Sequence, residues 1–154
     1  MVKYVNTEVV FEEIPDEITL AINVSNCPNH CPGCHSPYLR EDIGDTLYGD
    51  VLERLVNNND GITCICFMGE GRDEESLINL IEFIRYRWGK TLKIALYTGG
   101  EKTGGYMWDN LDYIKLGPYI EEKGPLNKET TNQRLYKKID GKWEDITYRF
   151  WNRK

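Results

Sequence analysis

No run of apolar residues in this chain is long enough to span a bilayer, and residues 1–13 lack the basic start and apolar centre of a secretory leader. These absences predict a cytoplasmic protein with no membrane partner. Basic residues are also sparse: 19 lysines and arginines stand against 25 aspartates and glutamates, a formal net charge of −6 with no basic stripe. A duplex binder needs clustered cations to displace counterions, so nucleic acid is not expected as a partner. There are only two histidines, and the five cysteines form an odd set with three of them between positions 27 and 34. That distribution does not suit a secreted disulfide framework and points instead to a metal site.

Apolar residues make up 40% and charged residues 29% of the chain, a balance that suits a soluble globular protein. Its 154 residues fit a single domain. They are too few for a complete eight-unit barrel, which takes about 250. Ile18, Leu20, Ile22 and Val24 alternate with Thr19, Ala21 and Asn23, the period-two pattern of a strand that ends at Ser25-Asn26. Val51, Leu52, Leu55 and Val56 recur at helical spacing, and residues 57–61 stop that helix. Residues 62–68 form a continuous apolar run, as expected for a parallel strand buried on both faces. Asp73 is placed to cap a helix whose buried side carries Leu77, Leu80, Ile81 and Ile84. Residues 93–98 read as a third strand, followed by a Gly-rich connection containing Trp108 and a short fourth strand over 113–116. Asp140-Gly141 between 134–139 and 143–150 predicts a tight β-hairpin appended to the core. The expected organisation is thus one domain over 1–154, with an α/β core in 1–133 and a hairpin and tail in 134–154.

The unusual residues fall one after another at the C-terminal ends of these strands. The cysteines follow the first, Gly69-Glu70 the second, Thr98-Gly99 the third and Gly117 the fourth. In parallel α/β sheets that edge is where loops converge and ligands bind. Cys27-Pro28-Asn29-His30-Cys31-Pro32-Gly33-Cys34 sets three thiolates within eight residues, a loop able to wrap one inorganic cluster. Four irons need four external ligands, so three cysteines leave one iron open. A closed zinc site of Cys27, Cys31, Cys34 and His35 is the alternative, although the adjacency of Cys34 and His35 strains tetrahedral ligation. Cys64 and Cys66 share one strand face, where free cysteine behaves as a small buried hydrophobe.

The CX3CX2C spacing after a first strand resembles the cluster loop of radical S-adenosylmethionine enzymes. Met68-Gly69-Glu70 falls where that family carries a Gly-Gly-Glu turn, with Met68 in place of the first glycine or the motif permuted as Gly69-Glu70-Gly71. The Pro32-Gly33-Cys34 form, the Leu96-Tyr97-Thr98-Gly99 turn and the late segment from Gly117-Pro118-Tyr119 to Asn132-Gln133-Arg134 are similar to one subgroup, the anaerobic ribonucleoside-triphosphate reductase activating proteins.

The resemblance implies an abbreviated, open (β/α) half-barrel with a parallel sheet. It implies a 4Fe-4S cluster on Cys27, Cys31 and Cys34, and S-adenosylmethionine held on the open iron with help from Gly33, Cys34, His35, Gly69, Glu70 and Thr98. No side chain is assigned a catalytic role beyond the cluster and its ligand. The reduced cluster would split S-adenosylmethionine into methionine and a 5′-deoxyadenosyl radical, which removes hydrogen from a glycine of the reductase. Flavodoxin or ferredoxin is the implied electron donor. Other glycyl radical enzymes or a small-molecule substrate remain as alternatives, and a structural zinc module is a more distant one. Asn132, Gln133, Arg134, Tyr136, Trp143 and Trp151 either form a docking surface or simply cap the sheet. Lys115 and Glu121-Glu122 carry no assignment from sequence.

Overall fold

The computed structural model describes residues 1–28 and 37–151. Its centre is one open eight-stranded sheet. The strands are β1 (Lys3–Val10), β2 (Thr19–Val24), β3 (Asp45–Thr46), β4 (Cys64–Met68), β5 (Lys93–Tyr97), β6 (Tyr113–Leu116), β7 (Arg134–Ile139) and β8 (Lys142–Asp145). Their spatial order is β3-β1-β2-β4-β5-β6-β7-β8. The four central strands, β2, β4, β5 and β6, run parallel, and antiparallel pairs extend the sheet at both sides. The sheet is therefore mixed, where the sequence predicts a parallel sheet with an appended hairpin. β7 is hydrogen-bonded directly to β6, with Lys115 opposite Leu135, so the hairpin continues the sheet.

Three helices connect the parallel strands. Helix α1 (Gly49–Asn57) buries Leu52 and Val56, and α2 (Glu74–Trp88) buries Leu77, Leu80, Ile81 and Ile84. Asp73 caps α2: its carboxylate accepts the Ser76 backbone N–H at 3.1 Å and the Ser76 hydroxyl at 2.7 Å. Such a cap is worth about 1 kcal/mol. The third helix, α3 (Gly105–Asn110), is short and lies where the sequence suggests only a Gly-rich loop. Met107 at 1% exposure and Leu111 at 0% give it an apolar anchor in the core.

The alternation of side chains divides the sheet into two buried faces. Leu20, Ile22, Ile65, Phe67, Ile94, Leu96 and Ile114 join the helices in the larger core. Cys64, Cys66, Ala95, Tyr113 and Leu135 point the other way, and among the described residues no α-helix covers them. Two non-helical pieces close this second face. One is the segment 11–18 between β1 and β2, which inserts Ile14 at 0% exposure. The other contains the 3-10 turn Thr147–Phe150, which brings Phe150 together with Ile146. Polar ties fix both pieces in place: Tyr113 Oη donates to Glu17 Oε2 at 2.9 Å, and Arg149 pairs with Asp16 at 2.8 Å. The Arg149 guanidinium holds the Asp16 carboxyl below its ordinary range.

The hairpin turn matches its sequence signature, with Asp140 and Gly141 at φ of 51° and 78°. Its second arm is shorter than the 143–150 expected, because the chain leaves the ladder after Asp145 to enter the 3-10 turn. Trp143 Nε1 donates to Trp108 O at 2.9 Å, and the two rings meet edge to face at 4.9 Å. Tyr136 packs on the same indole at 5.7 Å. These contacts fasten the hairpin to α3. Trp151 is likewise tied down, its Nε1 donating to Leu126 O at 2.9 Å.

Candidate functional site

The parallel strands β2, β4, β5 and β6 bring their C-terminal ends to one edge, and the turns that leave them are bonded to one another. After β2 the chain turns at Asn26, which adopts a left-handed φ of 59° that asparagine tolerates. The Ser25 backbone N–H donates to Lys3 O at 3.0 Å and its hydroxyl to Ile43 O at 2.7 Å. The Asn26 N–H donates to Glu41 O at 3.1 Å and the Cys27 N–H to Leu39 O at 2.8 Å. The chain that enters the cysteine motif at Asn26-Cys27 is therefore held to Leu39 and Glu41 by backbone hydrogen bonds, with Cys27 half-buried. Lys3 and Asn26 both bind the Asp42 carboxylate and hold it below its ordinary range.

The Gly69-Glu70-Gly71 turn packs against the end of β2, at Val24 and Ser25. Its glycines have φ of 116° and 66°, conformations that side chains disfavour. A Cβ on Gly69 would sit 3.4 Å from Val24 O, and one on Gly71 would sit 3.4 Å from Val24 Cγ1 and 3.5 Å from Ser25 O. The sequence places Gly71 at this position as an option, and the geometry gives both glycines a physical reason. The Gly69 N–H donates to Tyr97 O at 2.8 Å, which joins the turn to β5.

Thr98, 1% exposed, connects the second and third turns. Its hydroxyl donates to Glu70 Oε1 at 2.9 Å and accepts the Gly100 N–H at 3.1 Å. Lys115 continues the chain of contacts: its Nζ donates to Thr98 O at 3.3 Å and to Gly117 O at 2.9 Å. Gln133 Nε2 also donates to Gly117 O, at 3.3 Å. Lys115 is only 8% exposed, and its burial here is what the sequence does not reveal. The available signal is one cation inside the apolar strand Tyr113-Ile114-Lys115-Leu116.

Gly69, Glu70, Thr98 and Cys27 are thus drawn to one edge. Cys31, Gly33, Cys34 and His35 lie outside the described residues. Cys64 and Cys66 take no part, because both are fully buried in the second core. Burial pushes both thiols far up, so they stay protonated and make poor ligands. Among the described residues no group of three His, Cys, Asp or Glu side chains could hold a metal. Asn132, Gln133 and Arg134 stand at the start of β7, and Asn132 Nδ2 donates to Pro118 O at 3.0 Å. Tyr136 and Trp143 both pack on Trp108.

Two cavities open along this edge. One of about 380 Å³ is lined by Pro28, which follows Cys27, and by Glu70, Gly71, Arg72, Glu74 and Leu77. The other, about 390 Å³, lies between segment 11–18 and the ends of β5 and β6, with Lys115 and Tyr97 in its wall. The first sets the carboxylates of Glu70 and Glu74 beside the Gly71 turn, with Arg72 in the same wall; two carboxylates against one guanidinium leave acceptor capacity for an ammonium group. Among the described residues no helix is long and apolar enough to cross a membrane. Comparison with known proteins gave no match to any family model, curated protein or solved structure.

Proposed function

We propose that this chain is a radical S-adenosylmethionine activase that installs a glycyl radical on an anaerobic ribonucleoside-triphosphate reductase, using an abbreviated half-barrel core. The observation that carries the reading is the convergence of Cys27, the first residue of the cysteine motif, a two-glycine turn and a threonine-held carboxylate on one edge of parallel strands. The residues suit the cofactor. Soft thiolates in a short loop favour an iron-sulfur cluster, and Cys27, Cys31 and Cys34 would hold it. When bound, the cluster supplies the electron that splits S-adenosylmethionine and so generates the radical that takes hydrogen from glycine. Flavodoxin or ferredoxin would deliver that electron in the cytoplasm.

The chain's own residues bind and orient. Gly69 and Gly71 keep side chains out of the space beside Val24, so that backbone carbonyls of the turn can face the amino group of the ligand. Thr98 fixes one oxygen of Glu70 and leaves the other for the same ammonium. Lys115 holds the turns after β5 and β6 together through their carbonyls. Anaerobic reconstitution followed by iron and sulfide analysis tests the cofactor, and spin resonance with and without S-adenosylmethionine tests the open iron. Mixing with the reductase and a reductant should then give a glycyl doublet. Stoichiometric zinc without broad visible absorbance, or no 5′-deoxyadenosine under strong reductant, overturns the proposal.

A further inference from the structure

A third cavity, of about 260 Å³, opens where β6 ends and β7 begins, and its wall holds Glu101, Leu116, Gly117, Asn132, Arg134 and Tyr136. Antiparallel pairing sets Arg134 opposite Leu116. Gly117 turns at a φ of 107°, and a Cβ there would lie 3.1 Å from Gln133 Cα, so this part of the wall requires glycine. Asn132 is fixed beside that turn, its Nδ2 donating to Pro118 O at 3.0 Å. The bond decides which end of the amide faces the carbonyl, and it leaves Oδ1 buried with no hydrogen-bond partner. A buried amide oxygen without a donor is costly, and such groups are ordinarily satisfied.

Two opposite charges share the same wall without meeting. Glu101 is exposed and forms no ion pair among the described residues. The Arg134 guanidinium pairs with Asp145 at 3.6 Å, too long for a hydrogen bond, and Asp145 is itself bound by Thr147. Among the described residues the fork of N–H donors on Arg134 therefore has no hydrogen-bond acceptor. The Trp151 ring, 5.7 Å away, helps to hold the guanidinium in place. Leu116 and the Tyr136 ring supply the apolar part of the wall. The cavity thus presents an orphaned acceptor, a free carboxylate and a guanidinium with donors to spare, together with apolar surface.

We propose that this cavity binds a free aliphatic α-amino acid as its zwitterion, with the carboxylate on Arg134 and the ammonium on Asn132 Oδ1 and Glu101. A guanidinium fork matches a carboxylate, and an ammonium carries three donors, enough for an amide oxygen and a carboxylate together. A phosphate or a dicarboxylate would face Glu101 and leave the Asn132 oxygen without a donor. A simple amine would leave Arg134 unmatched. The aliphatic side chain lies against Leu116 and Tyr136. Neither the cysteines nor any activity enters, so this site stands or falls apart from the activase reading.

The test is titration of the ¹⁵N-labelled full chain with L-leucine, followed by amide shifts. Residues 101, 116, 117, 132 and 134 are expected to shift saturably. Isocaproate is leucine without its ammonium, and isoamylamine is leucine without its carboxylate. Each should bind at least about tenfold more weakly, the loss of one charge-assisted hydrogen bond. E101Q and R134Q should each weaken L-leucine by a similar factor, while K142Q, on the exposed β8, should not. The comparison of the three probes uses the wild-type chain and does not depend on any variant folding. Equal affinity for L-leucine and either truncated probe, shifts confined to other residues, or no saturable shift at all overturns the proposal.

Discussion

Thr98→Val removes one hydroxyl and keeps the side-chain shape, so it isolates the bond that positions Glu70. In the wild type that hydroxyl serves a carboxylate at 2.9 Å and a backbone N–H at 3.1 Å. A hydrogen bond to a charged group contributes roughly 1.5–3 kcal/mol, and an orphaned buried N–H costs about 1–3 kcal/mol. Glu70 is half-exposed and Gly100 can be reached by water, so the lower ends apply and the sum is about 2–3 kcal/mol. With a urea slope of about 2 kcal/mol/M, the unfolding midpoint should fall by about 1 M. Thr98→Ser, which keeps the hydroxyl, should recover most of the loss. S-adenosylmethionine affinity of the reconstituted protein should drop about tenfold in the valine variant, the equivalent of about 1.4 kcal/mol. A midpoint within about 0.2 M of wild type would refute the reasoning on stability. Loss of affinity in Thr98→Ser equal to that in Thr98→Val would refute the role assigned to the hydroxyl.

Single replacement of Cys27, Cys31 or Cys34 by serine should abolish iron loading, measured as iron per chain after anaerobic reconstitution. Cys64→Ala and Cys66→Ala should load normally, because those thiols are buried and protonated. Tyr113→Phe should cost about 1–2 kcal/mol at neutral pH by urea unfolding, through loss of the bond to Glu17. It should also flatten the alkaline limb. Burial first, and then Glu17, raises the Tyr113 phenol above its ordinary value of 10.0. Its contribution is therefore complete below pH 10 and declines as the unfolded chain ionises above it, by up to about 1.4 kcal/mol per pH unit. The phenylalanine variant lacks this decline. Trp143→Ala should destabilise by about 2–3 kcal/mol, since it removes an edge-to-face ring contact and the bond to Trp108 O. A loss below about 1 kcal/mol would show that the hairpin is not held by this indole.

The parallel strands are legible because a strand buried on both faces must be apolar throughout, as Cys64-Ile65-Cys66-Phe67 is. Asp73 is legible as a cap because its carboxylate acts locally, on Ser76. β1 is not legible. Its sequence Lys-Tyr-Val-Asn-Thr-Glu-Val-Val is mostly half-buried and only half apolar, without strict alternation, and pairing with β2 and β3 makes it a strand. Helix α3 hides behind Gly104 and Gly105, and tertiary packing of Met107 outweighs their poor helix propensity. The second arm of the hairpin is shorter than its sequence suggests because Ile146 and Phe150 look like strand residues but are needed beneath the sheet. Within the candidate site, Gly69, Glu70 and Thr98 could be found from their place after strands. Lys115 could not, because the sequence does not show that segment 11–18 crosses the sheet face beside it.

That crossing fixes the order in which a nascent chain can mature. The fully buried members of the helix-covered core have all been made once Ile114 leaves the ribosome. The opposite core waits for Ile146 and Phe150 to meet Ile14. During the interval Cys64, Cys66 and Tyr113 stand against water, so a stalled translation product would show two oxidisable thiols that the finished molecule conceals.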